Sequence, residues 1–366
     1  MGGWRRMDDA VEQQIRARAE RAIAAHVFPG CVVGLIRVPC PSEAVGEGGN
    51  KQIVIPVGTL DGTSPVSENT IYDVASITKS IPLASLALTL IAEGKLSLID
   101  RATKYLPELQ NHHDATIEDL LRYRVTGLRL SQLHLKTFEE IRTHVFEHGF
   151  DAPALSRRSL GEGGRGWGAY TNLPAFLLGI VIERITGEIL SALAHRYFFE
   201  PLGMKDTSFF PEVPDTSISA DRQILMCLHD NIAPTEIVDG KEIRGIVHDE
   251  SARVFARARR AVGHAGLFST AQDLRTFLEA LLVGKLPAVV AGAEQGLGWS
   301  IDEPWRRGRY SSKMFSKTGF TGCLVAADAE KGIGLVILSN RTYPARPPDN
   351  SAINLFRKDI ADIVLA

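Results

Sequence analysis

The chain has 366 residues, 45% of them apolar and 23% charged, and carries a formal net charge of −2. This is an ordinary globular composition with room for one large domain or two lobes. It excludes a basic nucleic-acid binder and a polybasic membrane-surface protein, and the longest apolar run, 81–92, is too short to span a bilayer.

The first residues, MGGWRRMDDAVEQQ, hold two arginines with no apolar stretch behind them, which predicts no secretory leader and a cytoplasmic protein. Residues 8–25 carry Val11, Ile15, Ala19 and Ile23 near helical period and predict an amphipathic surface helix. Two strands are predicted at 31–38 and 51–60, joined by a Gly/Pro-rich loop. The segment DVASITKS (73–80) leads into a long apolar helical run, and the middle third of the chain reads as helices and loops. Thr116-x-x-Asp119 and Thr270-x-x-Asp273 look like capping boxes. Helices are predicted at 174–186 and 191–199.

Three strands follow at 314–319, 323–329 and 333–339, separated by turns at Thr321–Gly322 and Lys331–Gly332, so they form an antiparallel meander. A last helix runs from about residue 351. Strands at both ends with helices between predict an α+β fold. Its antiparallel sheet is built from N- and C-terminal segments, is flanked by terminal helices and carries an inserted helical lobe. The chain then forms one catalytic domain, with a sheet lobe of 1–75 plus about 295–366 and a helical lobe of about 76–294. Cys31, Cys40, Cys227 and Cys323 have no metal-site spacing and read as free thiols in a reducing compartment.

Ser76 and Lys79 form the only Ser-x-x-Lys in the chain. Alone the pair means little: Ser76 can be an N-cap and Lys79 a snorkelling surface lysine. Two further motifs follow in order. AYTN holds Tyr170 and Asn172 ahead of a helix, and SKTGF puts Lys317, Thr318 and Gly319 on a strand. Tyr170 can also be a packing residue and Lys317 a solvent-facing strand lysine. A serine at a helix N-terminus gains from the helix dipole, and a lysine one turn on reaches its hydroxyl. The lysine accepts a proton only when neutral, so burial and a nearby cation, for which Lys317 is the candidate, must lower its pKa. Tyr170 offers a phenolic oxygen for proton transfer, and Asn172 can hold a substrate amide or carbonyl.

With Ser-x-x-Lys, Tyr-x-Asn and Lys-Thr-Gly in this order, the sequence resembles the serine β-lactamase and penicillin-binding-protein superfamily. Tyr-x-Asn makes it similar to the branch of class C β-lactamases, D-alanyl-D-alanine carboxypeptidases and related esterases. The likeness runs from about residue 27 to 342 and includes LIAEGKLSLID, PLGMKDTSF and GHAGLFSTAQDL. It implies a β-lactamase/transpeptidase-like fold, Ser76, Lys79 and Tyr170 as catalytic residues, and Asn172, Lys317, Thr318, Gly319 and Phe320 as the substrate-binding side. It also implies an oxyanion hole from the backbone N–H groups of Ser76 and Phe320. No cofactor and no metal are expected, and the partner is a small-molecule or peptide acyl substrate. An esterase or peptidase-like hydrolase is the leading expectation. A true β-lactamase or D-Ala-D-Ala carboxypeptidase stands second, and a penicillin-binding sensor that does not turn over is the alternative of another class.

Two departures bear on substrate shape. DLLRYRVTGLRL (119–130) stands where many relatives carry a His-Thr-Ser-Gly loop, and the bulky Phe320 follows the Lys-Thr-Gly motif. Gly161, Gly163 and Gly166 fit a dinucleotide-binding pattern, but no strand precedes them. His144 and His148 are a surface pair rather than a metal site, His264 is structural or lines the cleft, and nothing fixes Glu250 as a deacylation base.

Overall fold

The computed structural model describes residues 2–39, 50–151, 171–210, 230–303 and 310–364. Its centre is a five-stranded antiparallel sheet: β1 (Gly30–Arg37), β2 (Lys51–Gly58), β7 (Met314–Thr318), β8 (Leu324–Asp328) and β9 (Ile333–Ser339), in the order β2-β1-β9-β8-β7. β3 (Tyr72–Asp73) pairs with β6 (Phe268–Ser269), and β4 (Glu236–Val238) with β5 (Lys241–Ile243), in two small ribbons. Chain ends therefore meet in one sheet, with β1 pairing to both β2 and β9.

The sequence period explains why β1 is buried on both sides. Val32 and Ile36 face the core formed with the inserted helices. Cys31, Val33 and Leu35 face a second core under the terminal helices. These are α1 (Gly2–Ala24), which contributes Ile15, Ala19 and Ala22, and α10 (Ser351–Val364), which contributes Ile353, Phe356 and Ile360. Each fully buried Val, Leu, Ile or Phe among these contributes about 1.5–3 kcal/mol by leaving water. β2 is an outer strand, where Pro56 costs no sheet hydrogen bond. The helix predicted at 8–25 begins earlier, at Gly2.

Between the sheet segments lie α2 (Ser85–Ala92), α3 (Ile117–Leu121), α4 (Phe138–His148) and α5 (Leu173–Thr186). α6 (Leu190–Ala194) continues through His195–Phe199 into Glu200–Leu202. α7 (Glu250–Arg257), α8 (Ala271–Leu282) and α9 (Pro287–Glu294) follow. The capping box at Thr116 and Asp119 is complete. At Thr270 only half of it forms. The hydroxyl accepts from Asp273 N, but the Asp273 carboxylate turns to Asp206 N at 2.8 Å and Thr207 Oγ1 at 2.8 Å. A distant pair of donors wins over the local one.

The apolar run after Ser76 is not one helix. A 3₁₀ turn covers Ala75–Lys79, the chain breaks helical geometry at Ile81 (φ −118°, ψ 106°), and the regular helix starts only at Ser85. Pro82 is the cause, because the residue before a proline is driven to extended geometry. The segment Ala75–Ala92 is apolar and long enough by composition to cross a membrane, and 78% of it is buried inside the fold. Cys31 and Cys323 are buried free thiols. Cys40, Cys227, the glycines at 161, 163 and 166, and Tyr170 lie outside the described residues.

Candidate active site

The turn carrying Ser76 begins with a strained residue. Ala75 has φ +46°, a left-handed conformation that costs a non-glycine residue about 1–2 kcal/mol. Asp73 holds it in place. One carboxylate oxygen accepts from Ala75 N at 2.8 Å and the other from His248 N at 2.7 Å. Burial pushes the Asp73 carboxyl up to about 6. The strain aims Ser76 outward: it is half-exposed between buried neighbours on both sides.

A 3₁₀ turn has three residues per turn, so side chains at i and i+3 eclipse. This puts Lys79 directly in line with Ser76, and its Nζ donates to Ser76 Oγ at 2.8 Å. The same ammonium nitrogen donates to the backbone carbonyl of His264 at 2.6 Å. Lys79 is fully buried, and burial lowers its pKa to about 7, while the nearby Asp249 carboxylate pulls the other way. One expectation changes here: Ser76 sits on a short 3₁₀ turn that a break at Ile81 separates from α2, and not at the start of one regular helix. On Lys79 burial is the larger cause, and the Asp249 carboxylate opposes it.

The end of β7 forms the opposite wall. Lys317 is 6% exposed, with its Nζ 4.7 Å from the centre of the Tyr123 ring. Tyr123 belongs to the segment that departs from the resembling family, so that departure supplies the ring under the lysine. Gly319 must be glycine, since a Cβ there would lie 2.4 Å from Val74 O. Thr321 Oγ1 donates to Asp73 O at 2.7 Å, and Arg357 from α10 donates to the carbonyls of Gly319 (2.9 Å) and Cys323 (2.8 Å). The Lys-Thr-Gly turn is thereby fixed against the turn that carries Ser76. Among the described residues, neither Ser76 N–H nor Phe320 N–H is used by the fold's own hydrogen bonds. Phe320 is 43% exposed and held between the His248 ring (5.8 Å, 22°) and the Arg341 guanidinium (5.2 Å).

Asn172, at the start of α5, is half-buried, and its Nδ2 donates to Asp249 Oδ2 at 3.1 Å. Asp249 caps α7, with Oδ1 accepting from Ala252 N at 2.9 Å and Ser251 Oγ at 2.6 Å. The fully buried His264 ring has Nε2 3.0 Å from Ser251 Oγ and 3.4 Å from Asp249 Oδ1. Burial lowers the His264 pKa, whereas hydrogen bonds hold the Asp249 carboxyl far below the usual range. Glu250 points outward to Arg346 at 2.6 Å. On α4, His144, Glu147 and His148 bring one ligand atom each within 4.8 Å of one another, the one such group among the described residues.

Ser76, Lys79, Asn172 and the Lys317–Phe320 turn are thus gathered around the packed segments 73–79 and 317–323. Reading the sequence missed Asp249, Arg357 and Tyr123. Only Asp249 carries a local signal, as an Asp three residues before an Ala at a helix start. The set can transfer an acyl group: a hydroxyl beside a buried amine, two unused N–H groups, and a cation on the far wall.

Comparison with known proteins gives the family and the fold. The chain is 27% identical over 332 residues to the protein named "Putative D-alanyl-D-alanine carboxypeptidase" of Salmonella agona (strain SL483), covering 78% of this chain and 72% of that one. It is 24% identical over 381 residues to an N-acetylmuramyl-L-alanine amidase of Bacillus subtilis (strain 168), covering 93% and 83%. The crystal structure of a beta-lactamase/D-alanine carboxypeptidase from Pseudomonas syringae superposes with a TM-score of 0.70 at 20% identity, over 96% of this chain and 99% of that one. The Beta-lactamase family profile matches residues 38–358, and the chain belongs to that family.

Proposed function

We propose that the protein is a serine acyl hydrolase in which Ser76 attacks an ester or amide carbonyl. The observation that carries this reading is the half-exposed Ser76 hydroxyl 2.8 Å from a fully buried lysine amine poised near neutrality. Lys79 takes the serine proton as the Oγ–C bond forms, and the backbone N–H groups of Ser76 and Phe320 receive the developing oxyanion. The leaving group departs with a proton, water then attacks the acyl-enzyme, and Ser76 regains its hydrogen. Lys317 and Thr318 anchor an anionic group of the substrate, and Asn172 holds its amide or carbonyl. Tyr170 is assigned the proton relay to the leaving group.

Within this class an esterase or peptidase-like activity is the first reading. The names of the Salmonella and Bacillus relatives favour amide substrates of the D-alanyl carboxypeptidase or amidase type as the second. A fluorophosphonate probe should add a single adduct on the peptide holding Ser76, followed by intact-protein mass spectrometry. An adduct of equal yield in Ser76→Ala overturns the proposal.

A further inference from the structure

The carboxylate of Asp249 has no place in the motifs that led to the site, yet it touches Asn172 directly and the residue that holds Lys79, His264. It lies 77 residues from Asn172 and accepts from Asn172 Nδ2 at 3.1 Å. A carboxylate only accepts hydrogen bonds, so it must face the amide nitrogen and never the amide oxygen. The orientation of the Asn172 side chain is therefore fixed, with Oδ1 and one N–H left for other partners. Through Ser251 and His264 the same carboxylate also braces the residue whose carbonyl accepts from Lys79.

We infer that Asp249 is a positioning residue of the acyl-transfer site, which locks the Asn172 amide in one orientation and balances the charge of Lys79. The inference rests on the hydrolase reading above. Three separate contacts support it: Asn172, the Ser251–His264 pair, and the helix cap at Ala252. The groups whose charges bear on this carboxylate are Asp73 before the Ser76 turn, His264 and Lys79. Lys317 stands on β7, the strand packed against the turn that carries Lys79. Asp249 favours the protonated lysine, so its removal lets the lysine lose its proton at lower pH.

Asp249→Asn is the test variant. It is isosteric, and asparagine caps helices as well as aspartate, so α7 keeps its cap. On the plateau above the acid limb, kcat/KM should fall about ten- to a hundredfold, because an amide no longer dictates how Asn172 points. The acid limb itself should move to lower pH. In an Asn172→Ala background the plateau loss should vanish, since the residue that Asp249 positions is gone. Losses that multiply, an acid limb that stays in place, or a variant with wild-type rates each overturn the inference.

If Asp249→Asn does not fold, Asn172→Asp tests the same contact. Two carboxylates then face each other, and the loss should exceed that of Asn172→Ala; equal losses overturn the inference. Labelling of Ser76 reports separately on the hydrolase reading. Titration of Lys79, followed by NMR of its ε-carbon in wild type and Asp249→Asn, tests the charge coupling without any turnover. A downward shift supports the inference, and an unchanged value overturns it.

Discussion

Lys79 and Lys317 are both almost wholly buried, yet their surroundings ask different things of them. Lys79 donates to a hydroxyl and a backbone carbonyl, and burial lowers its pKa to about 7 against the pull of Asp249. A fall from 10.5 to about 7 corresponds to about 5 kcal/mol of preference for the neutral amine. Lys317 instead lies over the face of Tyr123, an arrangement that favours a cation. In the proposed mechanism these two identical side chains have opposite tasks: one takes a proton, the other attracts negative charge.

Substituting arginine at each position breaks the comparison most sharply. Arginine cannot lose its proton in a protein, so Lys79→Arg should lower kcat by about 10²–10⁴-fold. Lys317→Arg keeps a stacked cation and should remain within about tenfold of wild type. Equal losses in the two variants would remove the distinction. Steady-state kinetics on one neutral and one anionic ester make the measurement, with the Lys317 effect expected mainly on the anionic one.

Gly319→Ala comes next in size. Its Cβ would press on Val74 O and displace the Lys317 wall from the Ser76 turn. A shift on the order of 1 Å costs up to about 10²-fold, so the loss should appear in kcat with the overall fold retained by circular dichroism.

The pH profile sharpens the contrast further. The acid limb of kcat/KM should have its midpoint near 7, where Lys79 loses its proton, and Lys317→Arg should leave it unmoved. Stability follows the same group. The folded pKa lies below the unfolded 10.5, so the fold disfavours the charged form, and Lys79 gains stability for the fold as pH rises from about 7 toward 10.5. Lys79→Met should remove that dependence and stabilise the protein at pH 7 by about 2–4 kcal/mol in denaturant melts. A destabilised Lys79→Met would show that the amine holds the turn together. The smallest effect is Phe320→Ala. It removes the contacts to His248 and Arg341, worth about 0.5–1.5 kcal/mol, and should change KM by a few-fold with kcat kept.

Much of this molecule is written locally. Short, nearly continuous apolar runs rich in Val and Ile at 31–38 and 333–339 mark strands buried on both faces, the Thr116 box marks a helix start, and Lys331–Gly332 marks a turn. Ser76 and Lys79 are three apart, and any helical turn brings them to one side. Reading the apolar run as helical missed the break at Ile81, although Pro82 carried its signal, since a pre-proline residue resists helical geometry. What the chain could not announce is the environment of those side chains. The carbonyl that takes up Lys79 lies 185 residues away, and Asp249 reaches Asn172 across 77. Spacing fixes which atoms can meet, because backbone geometry is local. The proton affinity of Lys79 depends on how much water is removed and which dipoles replace it, and only the packing of distant segments decides that.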